Sequence, residues 1–528
     1  MLLFGVNADL EIHSAGRKRM PKTKDAYPKN LLEHPTVKIE VQDFGPIIHA
    51  EMDLRPLTVF VGKSNTGKTY LASLIYALHR AFDGFSRFPC SDRAISHLKF
   101  LYHSQPLQPE ARLAYDREVL EILKKLNKPG RPFKLSDLSP LMRDLVEYTP
   151  EELKGFEAEL KRCFDLTSVS NLVRFPDTLG ICDTSVSLKI SKGNQPYWSV
   201  NMYATAGFET GYPIVLVDDD TVLRSGEGNA PQKAYDFTDF LSLLRPPEDE
   251  AERVYYLPAA RSGIMQSHGV ITSALIRNAT RIGLERFPGG AVFSGMISDF
   301  LGYIVNYNEH RETSNEMMDI AKALETEVLA GEIEVKRVTP YGYPEFVYRP
   351  ESTFWVRDLP PEDQHFQPES ALRLSQASSM VSELAPLVLF LQGFVRPGDT
   401  LIIEEPESHL HPEAQTQVAL TLARLVRAGI RVIITTHSDW LLQQIGNLIR
   451  EGELWKLGKE KTEPESWLVK EEVGAWWFRT NKPITEIPFD RIEGIEPSDY
   501  EEVADELYNT FVELERQFLK EKPEDADR

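Results

Sequence analysis

Apolar positions near the start of the chain predict a strand, a loop and a helix in succession. "VKIEVQDFGPI" at 37–47 alternates apolar and polar residues and then turns at a Gly-Pro pair, which predicts a half-buried strand. "LTVFV" at 57–61 is almost wholly apolar and predicts a buried strand. From Lys68 to Phe82 apolar residues recur every three or four positions, so we expect a helix with one buried face.

The rest of the chain alternates helical and extended segments. Residues 109–130, 149–164 and 264–330 have a helical apolar period, whereas 332–357 reads as short strands broken at "PYGYP". Lys192-Gly193-Asn194 between two extended segments predicts a hairpin. Buried strands are expected in "ERVYYLPAARSG", "TLIIEE" and "RVIITTHS". Strands alternating with helices indicate an α/β fold.

This pattern divides the chain into seven predicted segments. They are a flexible N-terminal lead (1–36), the N-terminal part of an α/β domain (37–83), a helical insertion (84–180), strands that return to the α/β domain (181–262), a second helical insertion (263–335), the C-terminal part of the α/β domain (336–450), and a small C-terminal α+β cap with an acidic tail (451–528).

Composition excludes several classes of protein. The net charge of −21 argues against a surface coated for nucleic acid, although a local basic groove stays open, and the basic run at 17–24 is typical of a tail. No apolar run approaches the roughly 18 residues of a membrane helix, and the N-terminus has the reverse polarity of a signal peptide. Three cysteines without a CxxC motif fit a reducing compartment. We therefore expect a cytoplasmic protein without membrane contact.

"GKSNTGKT" at 62–69 fits the phosphate-loop pattern and stands between the predicted strand and helix. Its backbone N–H groups and the helix N-terminus would surround the phosphates of ATP. Lys68 would contact the β- and γ-phosphates, and Thr69 would bind Mg²⁺. The loop residues predicted to bind ATP are Gly62, Lys63, Ser64, Asn65, Thr66, Gly67, Lys68 and Thr69.

The apolar strand "LII" runs directly into two carboxylates. A phosphate-loop nucleotidase needs one acid for the metal and one for the attacking water. We assign Glu404 to Mg²⁺ and Glu405 to the water. Glu407 falls outside this pair and is expected at the surface.

Two further positions complete a predicted nucleotide site. His437 ends the next buried strand, where it could sense the γ-phosphate. Ser378 and Ser379 precede an apolar helix, whose N-terminus is a second anion site. Because that helix should lie far from the phosphate loop of its own chain, we expect it to cap the ATP of a second subunit.

These pieces resemble the ATP-binding-cassette (ABC) ATPases of the soluble branch that contains the SMC, RecF and OLD proteins. The resemblance rests on the phosphate loop, "ASSMVSELAPL", "LIIEEPESHLHP" and "IITTHSDWLL", about a quarter of the chain. It implies that Ser378 and Ser379 belong to the signature motif, that 408–411 is the D-loop, and that His437 is the switch histidine. Met380 departs from the pattern, since glycine is usual there, and Pro386 is costly inside a helix unless the helix kinks.

The resemblance also implies a function. The fold would be an ABC-type ATPase head with helical insertions, and the chain looks most like standalone ATPases of phage-defence systems such as Septu and PARIS. We therefore expect a magnesium-dependent ATPase that forms a homodimer or higher homo-oligomer and controls a separate effector, a nuclease. An intrinsic nuclease acting through Asp218–Asp220, or a DNA-repair or chromosome-maintenance ATPase that binds DNA directly, remain alternatives.

Other residues carry weaker signals. His409 and His411 have metal-ligand spacing, but the nucleotide motif explains them better. Arg261 either faces a ligand or forms an ordinary salt bridge. The aromatic run 476–478 is expected to pack in a terminal sheet. In the helix from Ser498 an apolar stripe is expected to be core; it consists of Val503, Leu507, Phe511 and Leu514.

Overall fold

The fold is taken from a computed structural model of the 528-residue chain. It describes residues 36–82, 84–85, 117–118, 120–122, 124–125, 133–138, 150–172, 174, 183–192, 195–205, 222–224, 252–279, 293–307, 314–336, 344–351, 371–458, 466–495 and 498–520.

Fifteen strands and nine α-helices have both ends within these residues; residues 117–118, 120–122 and 124–125 are also helical. The strands are β1 (Thr36–Phe44), β2 (Ile47–Leu54), β3 (Leu57–Gly62), β4 (Phe133–Lys134), β5 (Asp183–Lys192), β6 (Gln195–Thr205), β7 (Val222–Arg224), β8 (Val254–Leu257), β9 (Gly331–Lys336), β10 (Glu345–Pro350), β11 (Leu372–Arg373), β12 (Thr400–Glu404), β13 (Arg431–Thr436), β14 (Val473–Phe478) and β15 (Thr485–Ile487). The helices are α1 (Lys68–Ala81), α2 (Pro150–Phe164), α3 (Arg261–Ala279), α4 (Gly295–Val305), α5 (Asn315–Leu324), α6 (Ser379–Gly393), α7 (Pro412–Arg427), α8 (Asp439–Lys456) and α9 (Ser498–Lys520).

A six-stranded sheet in the order β15-β14-β3-β13-β12-β8 forms the centre of the molecule. Its strands pair in parallel, except for β15, which is antiparallel to β14. Strands β3, β8, β12 and β13 are buried along their whole length, as expected for parallel strands covered on both faces. The chain is therefore an α/β protein, as the sequence predicts.

Two apolar cores cover the two faces of this sheet. On one face Leu71 and Leu74 of α1 pack with the apolar side of β1 and β2. On the other, α6, α7 and α8 contribute residues such as Phe390, Leu422 and Leu441. The predicted helix after the phosphate loop is thus confirmed, but it is buried at every position from Leu71 to His79 rather than on one face only.

A second, antiparallel sheet has the order β2-β1-β5-β6. In β1 the alternate residues Val37, Ile39 and Val41 are buried, in agreement with the alternation of the sequence. Strands β5 and β6 pair from Lys192 and Gln195 outward, which confirms the predicted hairpin. Strands β9 and β10 pair antiparallel across the "PYGYP" break.

The aromatic run at 476–478 lies in β14, which pairs in parallel with β3 of the central sheet. Trp476 and Phe478 are buried, so the packing role is confirmed, but the sheet is not a separate terminal one. The predicted cap therefore continues the sheet that carries the phosphate loop.

The predicted core role of the stripe on α9 is wrong. Leu507, Phe511 and Leu514 are 67%, 60% and 50% exposed. A helical apolar period shows that one face is apolar, but it does not show what covers that face. The side chain of Val503 lies outside the described residues.

Among the helices that the structure describes, none has both the length and the apolar character that crossing a bilayer requires.

Candidate nucleotide site

The phosphate loop, the two carboxylates and His437 meet at one edge of the central sheet. Strand β13 lies between β3 and β12, and all three run parallel. Each strand therefore ends at the same edge, where parallel α/β sheets bind their ligands. The loop follows β3, Glu404 ends β12, and His437 follows β13.

Two glycines allow the loop to lie close to its neighbours. Gly62 has φ 143°, and a Cβ there would stand 2.1 Å from the carbonyl oxygen of Phe478. Gly67 has φ 103°, and its Cβ would stand 2.9 Å from Cγ1 of Ile47. A side chain at either position meets both backbone strain and a clash, so glycine is required.

Within the loop, Lys68 closes onto backbone carbonyls. Its ammonium donates to the carbonyl oxygens of Gly62 at 2.6 Å and Lys63 at 2.8 Å. Burial lowers the pKa of Lys68 to about 8, and the nearby Glu405 and Glu407 carboxylates oppose this shift. A buried ammonium that donates to two backbone carbonyls is suited to exchange them for an anion.

The remaining loop residues leave the loop open to solvent. The hydroxyl of Thr66 donates to the carbonyl of Lys63 at 2.8 Å and holds the turn. The solvent-exposed positions in the loop are Lys63, Ser64, Asn65 and Thr69. Thr69 follows Lys68 in the first turn of α1, as a metal-binding hydroxyl of this motif should.

The two carboxylate oxygens of Glu404 lie in different surroundings. Its Oε2 accepts from the backbone N–H of Ala259 at 2.9 Å. Its Oε1 is buried. The hydroxyl of Tyr256 lies beside this carboxylate, and burial, together with the charge of Glu404 and a hydrogen bond to it, raises the pKa of the hydroxyl. A carboxylate at the end of β12 is suited to contact hydrated Mg²⁺.

Glu405 stands in a strained backbone conformation directly after β12. Its φ of 43° is in the left-handed region, which costs free energy for a residue with a Cβ. Its N–H donates to the carbonyl of Thr435 at 2.9 Å, which fixes the turn. Its carboxylate accepts from the Ser408 hydroxyl at 3.1 Å and lies 3.3 Å from Nε2 of His437. Hydrogen bonding from His437 lowers the pKa of Glu405.

Glu407 is not at the surface, so that prediction is wrong. It is 8% exposed, and its Oε1 accepts from the hydroxyl of Thr436 at 2.6 Å and from the N–H of His437 at 2.8 Å. Burial raises the pKa of its carboxyl group. Glu407 thus ties the turn after β12 to the residue that follows β13. These contacts join residues about 30 positions apart, so no local sequence pattern predicts them.

Helix α6 begins at the predicted signature serines. Ser378 is the N-cap, and its side chain accepts from the N–H of Val381 at 3.3 Å. Ser378 and Ser379 are both exposed, which leaves the N-terminus of α6 accessible. The helix continues through Pro386 to Gly393. Its position relative to the phosphate loop of a second copy stays a prediction.

The two interpretations of Arg261 are resolved by its burial. The side chain is 1% exposed, and its Nε lies 3.2 Å from Oε2 of Glu383. Arg261 therefore does not face a ligand; it forms an internal ion pair.

The remaining candidates do not form a second site in the described residues. His409 is exposed, and His411 is the N-cap of α7. No group of three or more His, Cys, Asp or Glu side chains that could hold a metal ion occurs in the described part of the chain. Asp218–Asp220 lie outside the described residues.

Comparison with known proteins gives one family and several solved structures. The model of the AAA ATPase domain family matches residues 295–442, which include the α6 N-terminus, both carboxylates and His437 but not the phosphate loop. No curated protein matches.

The solved structures include three SMC heads. The Smc head bound to the C-terminal winged-helix domain of ScpA has a TM-score of 0.38 and 9% identity, covering 87% of this chain and 98% of that one. The Smc head with an extended coiled coil from Pyrococcus furiosus, bound to the C-terminal domain of ScpA, has a TM-score of 0.37 and 10% identity, covering 90% and 100%. The SMC head domain from Thermotoga maritima has a TM-score of 0.33 and 11% identity, covering 87% and 100%.

The family match and the motif geometry together support an ATPase. The match covers the half of the site that the phosphate-loop motif does not, and the parallel sheet brings the two halves to one edge.

Proposed function

We propose that the chain is an ATP-hydrolysing switch that assembles with copies of itself and controls a separate effector. The observation that carries the hydrolytic part is the Glu405–His437 contact at the sheet edge that also holds Lys68. An ionised carboxylate beside a histidine and a phosphate-binding lysine is the arrangement that in-line attack of water on a γ-phosphate requires.

In this proposal the loop and the carboxylates divide the chemistry. Lys68 leaves the carbonyls of Gly62 and Lys63 and binds the β- and γ-phosphates. Glu405 orients the attacking water and accepts its proton, and His437 holds the carboxylate and faces the γ-phosphate. Thr69 and Glu404 would hold Mg²⁺, which neutralises charge on the phosphate oxygens.

The proposed assembly of copies of the chain is supported by the accessible N-terminus of α6. A helix N-terminus carries partial positive charge and unsatisfied N–H groups, and here it presents two exposed serines. We infer that Ser378 and Ser379 of one copy meet the ATP held by the phosphate loop of another. ATP would then join the copies, and hydrolysis would separate them.

The role in the cell rests on resemblance to standalone ATPases of phage-defence systems. The net charge of −21 is more compatible with a protein partner than with a DNA-coated surface. We therefore propose a cytoplasmic ATPase whose assembled state holds or releases an effector, a nuclease.

The test of the ATPase switch is turnover by the purified chain as a function of its own concentration. A shared site gives specific activity that rises with protein concentration, and Glu405→Gln should form an ATP-dependent oligomer by light scattering. Specific activity independent of concentration would overturn the shared site. No hydrolysis at any concentration would overturn the ATPase.

The effector role has its own test. A host carrying the gene in its native neighbourhood is challenged with phage, with the Glu405→Gln variant alongside. Protection that requires Glu405 supports the proposal, and unchanged plaque counts contradict it. Metal-dependent DNA cleavage by the pure chain would point to an intrinsic nuclease. ATP-dependent, salt-sensitive DNA binding would point to a DNA-holding ATPase.

A further inference from the structure

The buried guanidinium of Arg261 connects the turn that carries Glu404 and Glu405 to helix α6. Arg261 begins α3, immediately beyond β8. Its Nη1 donates to the carbonyl of Glu404 at 2.5 Å, and its Nη2 donates to the carbonyl of Glu405 at 2.9 Å. Its Nε donates to the carbonyl of Glu383 in α6 at 3.1 Å. One rigid group therefore bonds to both elements.

Glu383 completes this connection from the side of the helix. It lies one turn after Ser379 and is 1% exposed. Its Oε2 is 3.2 Å from Nε of Arg261, and its Oε1 accepts from the hydroxyl of Ser262 at 2.6 Å. The same Oε1 lies 3.9 Å from Nε2 of His409, in the segment that follows the carboxylates. Glu383 thus contacts both α3 and the predicted D-loop.

Packing alone does not require this ion pair. Taking an arginine and a glutamate out of water is costly, and apolar residues of similar volume often stabilise a core equally well. An apolar side chain, however, cannot donate hydrogen bonds to two successive carbonyls. The guanidinium has donors in a fixed plane, so its contacts define the position of the Glu404–Glu405 backbone relative to α6.

The bonded backbone is the strained part of the site. Glu405 has φ 43°, so its turn is held by its surroundings rather than by its own preference. A shift of this turn would change the geometry of the Arg261 contacts, and the guanidinium would transfer the shift to the first turns of α6.

We propose that Arg261 is a positioning residue that couples the two halves of the shared ATP site within one subunit. It links the state of the Glu404–Glu405 turn, which meets the subunit's own ATP, to the N-terminus of α6, which meets the ATP of another copy. This inference rests on the proposed function, because it needs a site shared between copies.

The experiment separates coupling from stability. Arg261→Met and Glu383→Met each leave one buried charge without its partner, so both should lower the melting temperature. The double variant Arg261→Met/Glu383→Met removes both charges and should recover part of that loss, because the carbonyls of Glu404 and Glu405 still lack their donor. We expect it to bind ATP as dilute subunits within about twofold of wild type. Its concentration-dependent turnover should fall at least ~10-fold, within the ~5- to 150-fold range typical of coupling between sites.

A second variant tests the same idea without removing the charge. Arg261→Lys keeps a cation beside Glu383 but cannot donate to both carbonyls in the fixed geometry of the guanidinium. It should fold, bind ATP and lose turnover in the same assay. If the double variant does not fold, Arg261→Lys decides the outcome.

A matched control lies in the same sheet, at the ends of the strands opposite to the nucleotide site. Arg431, at the start of β13, and Glu252 are each 4% exposed and lie 3.3 Å apart. Arg431→Met/Glu252→Met and Arg431→Lys disturb a buried pair away from the nucleotide; Glu252 also contacts His79 and Thr400, so Arg431→Lys is the milder of the two controls. These variants should keep the concentration dependence of turnover.

Three results would overturn the coupling. Wild-type turnover in a double variant with recovered stability would make the pair purely structural. Loss of ATP affinity in dilute Arg261→Lys would place Arg261 in the subunit's own pocket instead. Equal loss of turnover in the Arg431 controls would indicate general destabilisation. Failure of the shared site itself is distinguishable, because wild-type turnover would then not depend on protein concentration.

Discussion

Nε2 of His437 lies 3.3 Å from Oε1 of Glu405, across the ends of two adjacent parallel strands. Their side chains are 32% and 38% exposed, so the pair is accessible to solvent. The hydrogen bond from His437 lowers the pKa of Glu405, and the carboxylate is therefore ionised at neutral pH.

Substitution of Glu405 should trap ATP. Glutamine keeps the shape of the side chain but cannot accept a proton, and loss of a general base costs roughly 10²- to 10⁴-fold in turnover. ATP should still bind, because Lys68 and Glu404 are unchanged. The measurement is single-turnover hydrolysis together with ATP retained after gel filtration.

Glu404→Gln is the matched control for that experiment. It should raise the Mg²⁺ concentration needed for ATP binding, because the Glu404 carboxylate is the predicted metal contact. Rapid hydrolysis by Glu405→Gln, with ATP trapped by Glu404→Gln, would exchange the roles of the two residues.

ATP affinity should fall as the pH rises above 8. The pKa of Lys68 is lowered to about 8 without nucleotide, and bound phosphates should raise it again. Below pH 8 the ammonium is charged in both states, so affinity is constant. Between pH 8 and the higher pKa of the bound state, binding must take up a proton, and the dissociation constant should rise by up to about tenfold per pH unit.

Titration calorimetry from pH 7 to 9.5, in buffers of different ionisation enthalpy, measures this proton uptake directly. Lys68→Arg is the control, since arginine remains charged throughout the range and its affinity should show no such fall. A wild-type affinity that is flat from pH 7 to 9.5 would contradict the lowered pKa.

Truncation of Glu407 should impair turnover without weakening ATP binding. Its carboxylate accepts from the N–H of His437 and the hydroxyl of Thr436, so Glu407→Ala leaves both donors without their acceptor. We expect turnover to drop about tenfold, the equivalent of one lost hydrogen bond of ~1.4 kcal/mol in positioning.

Glu407→Gln separates the hydrogen bond from the charge. The amide oxygen can still accept from the N–H of His437, so this variant should stay within about threefold of wild type. Steady-state kinetics of both variants gives the comparison. Equal losses in the two variants would mean that the charge of Glu407, not its hydrogen bonds, matters for turnover.

Ser379→Arg should separate nucleotide binding from turnover. Ser379 is exposed at the start of α6, so an arginine there leaves the fold and the phosphate loop intact but adds bulk and charge at the inferred contact between copies. Dilute subunits should bind ATP normally, whereas turnover should fall at least ~10-fold. Gln443→Arg, at an exposed position of α8, is the control and should change neither quantity. Wild-type turnover by Ser379→Arg would exclude α6 from a shared site.

The sequence by itself determined the parts of the site that depend on neighbours along the chain. A phosphate loop needs glycines and a lysine at fixed spacing between a strand and a helix, so 62–69 could be predicted to be one directly. The two carboxylates after an apolar strand are equally local. Because strands alternating with helices form parallel sheets, the α/β class also followed from the pattern.

Only the tertiary structure decided which distant residues meet. Glu407 and Arg261 are polar residues after strands, and such residues are usually exposed; their burial results from contacts with β13 and α6, far along the chain. The prediction for the stripe on α9 was wrong in the opposite sense, because its apolar side chains are exposed. The sequence showed an apolar face, but its exposure depends on whether another element packs against it. Local periodicity follows from backbone geometry, whereas pairing across the fold depends on the arrangement of the whole chain.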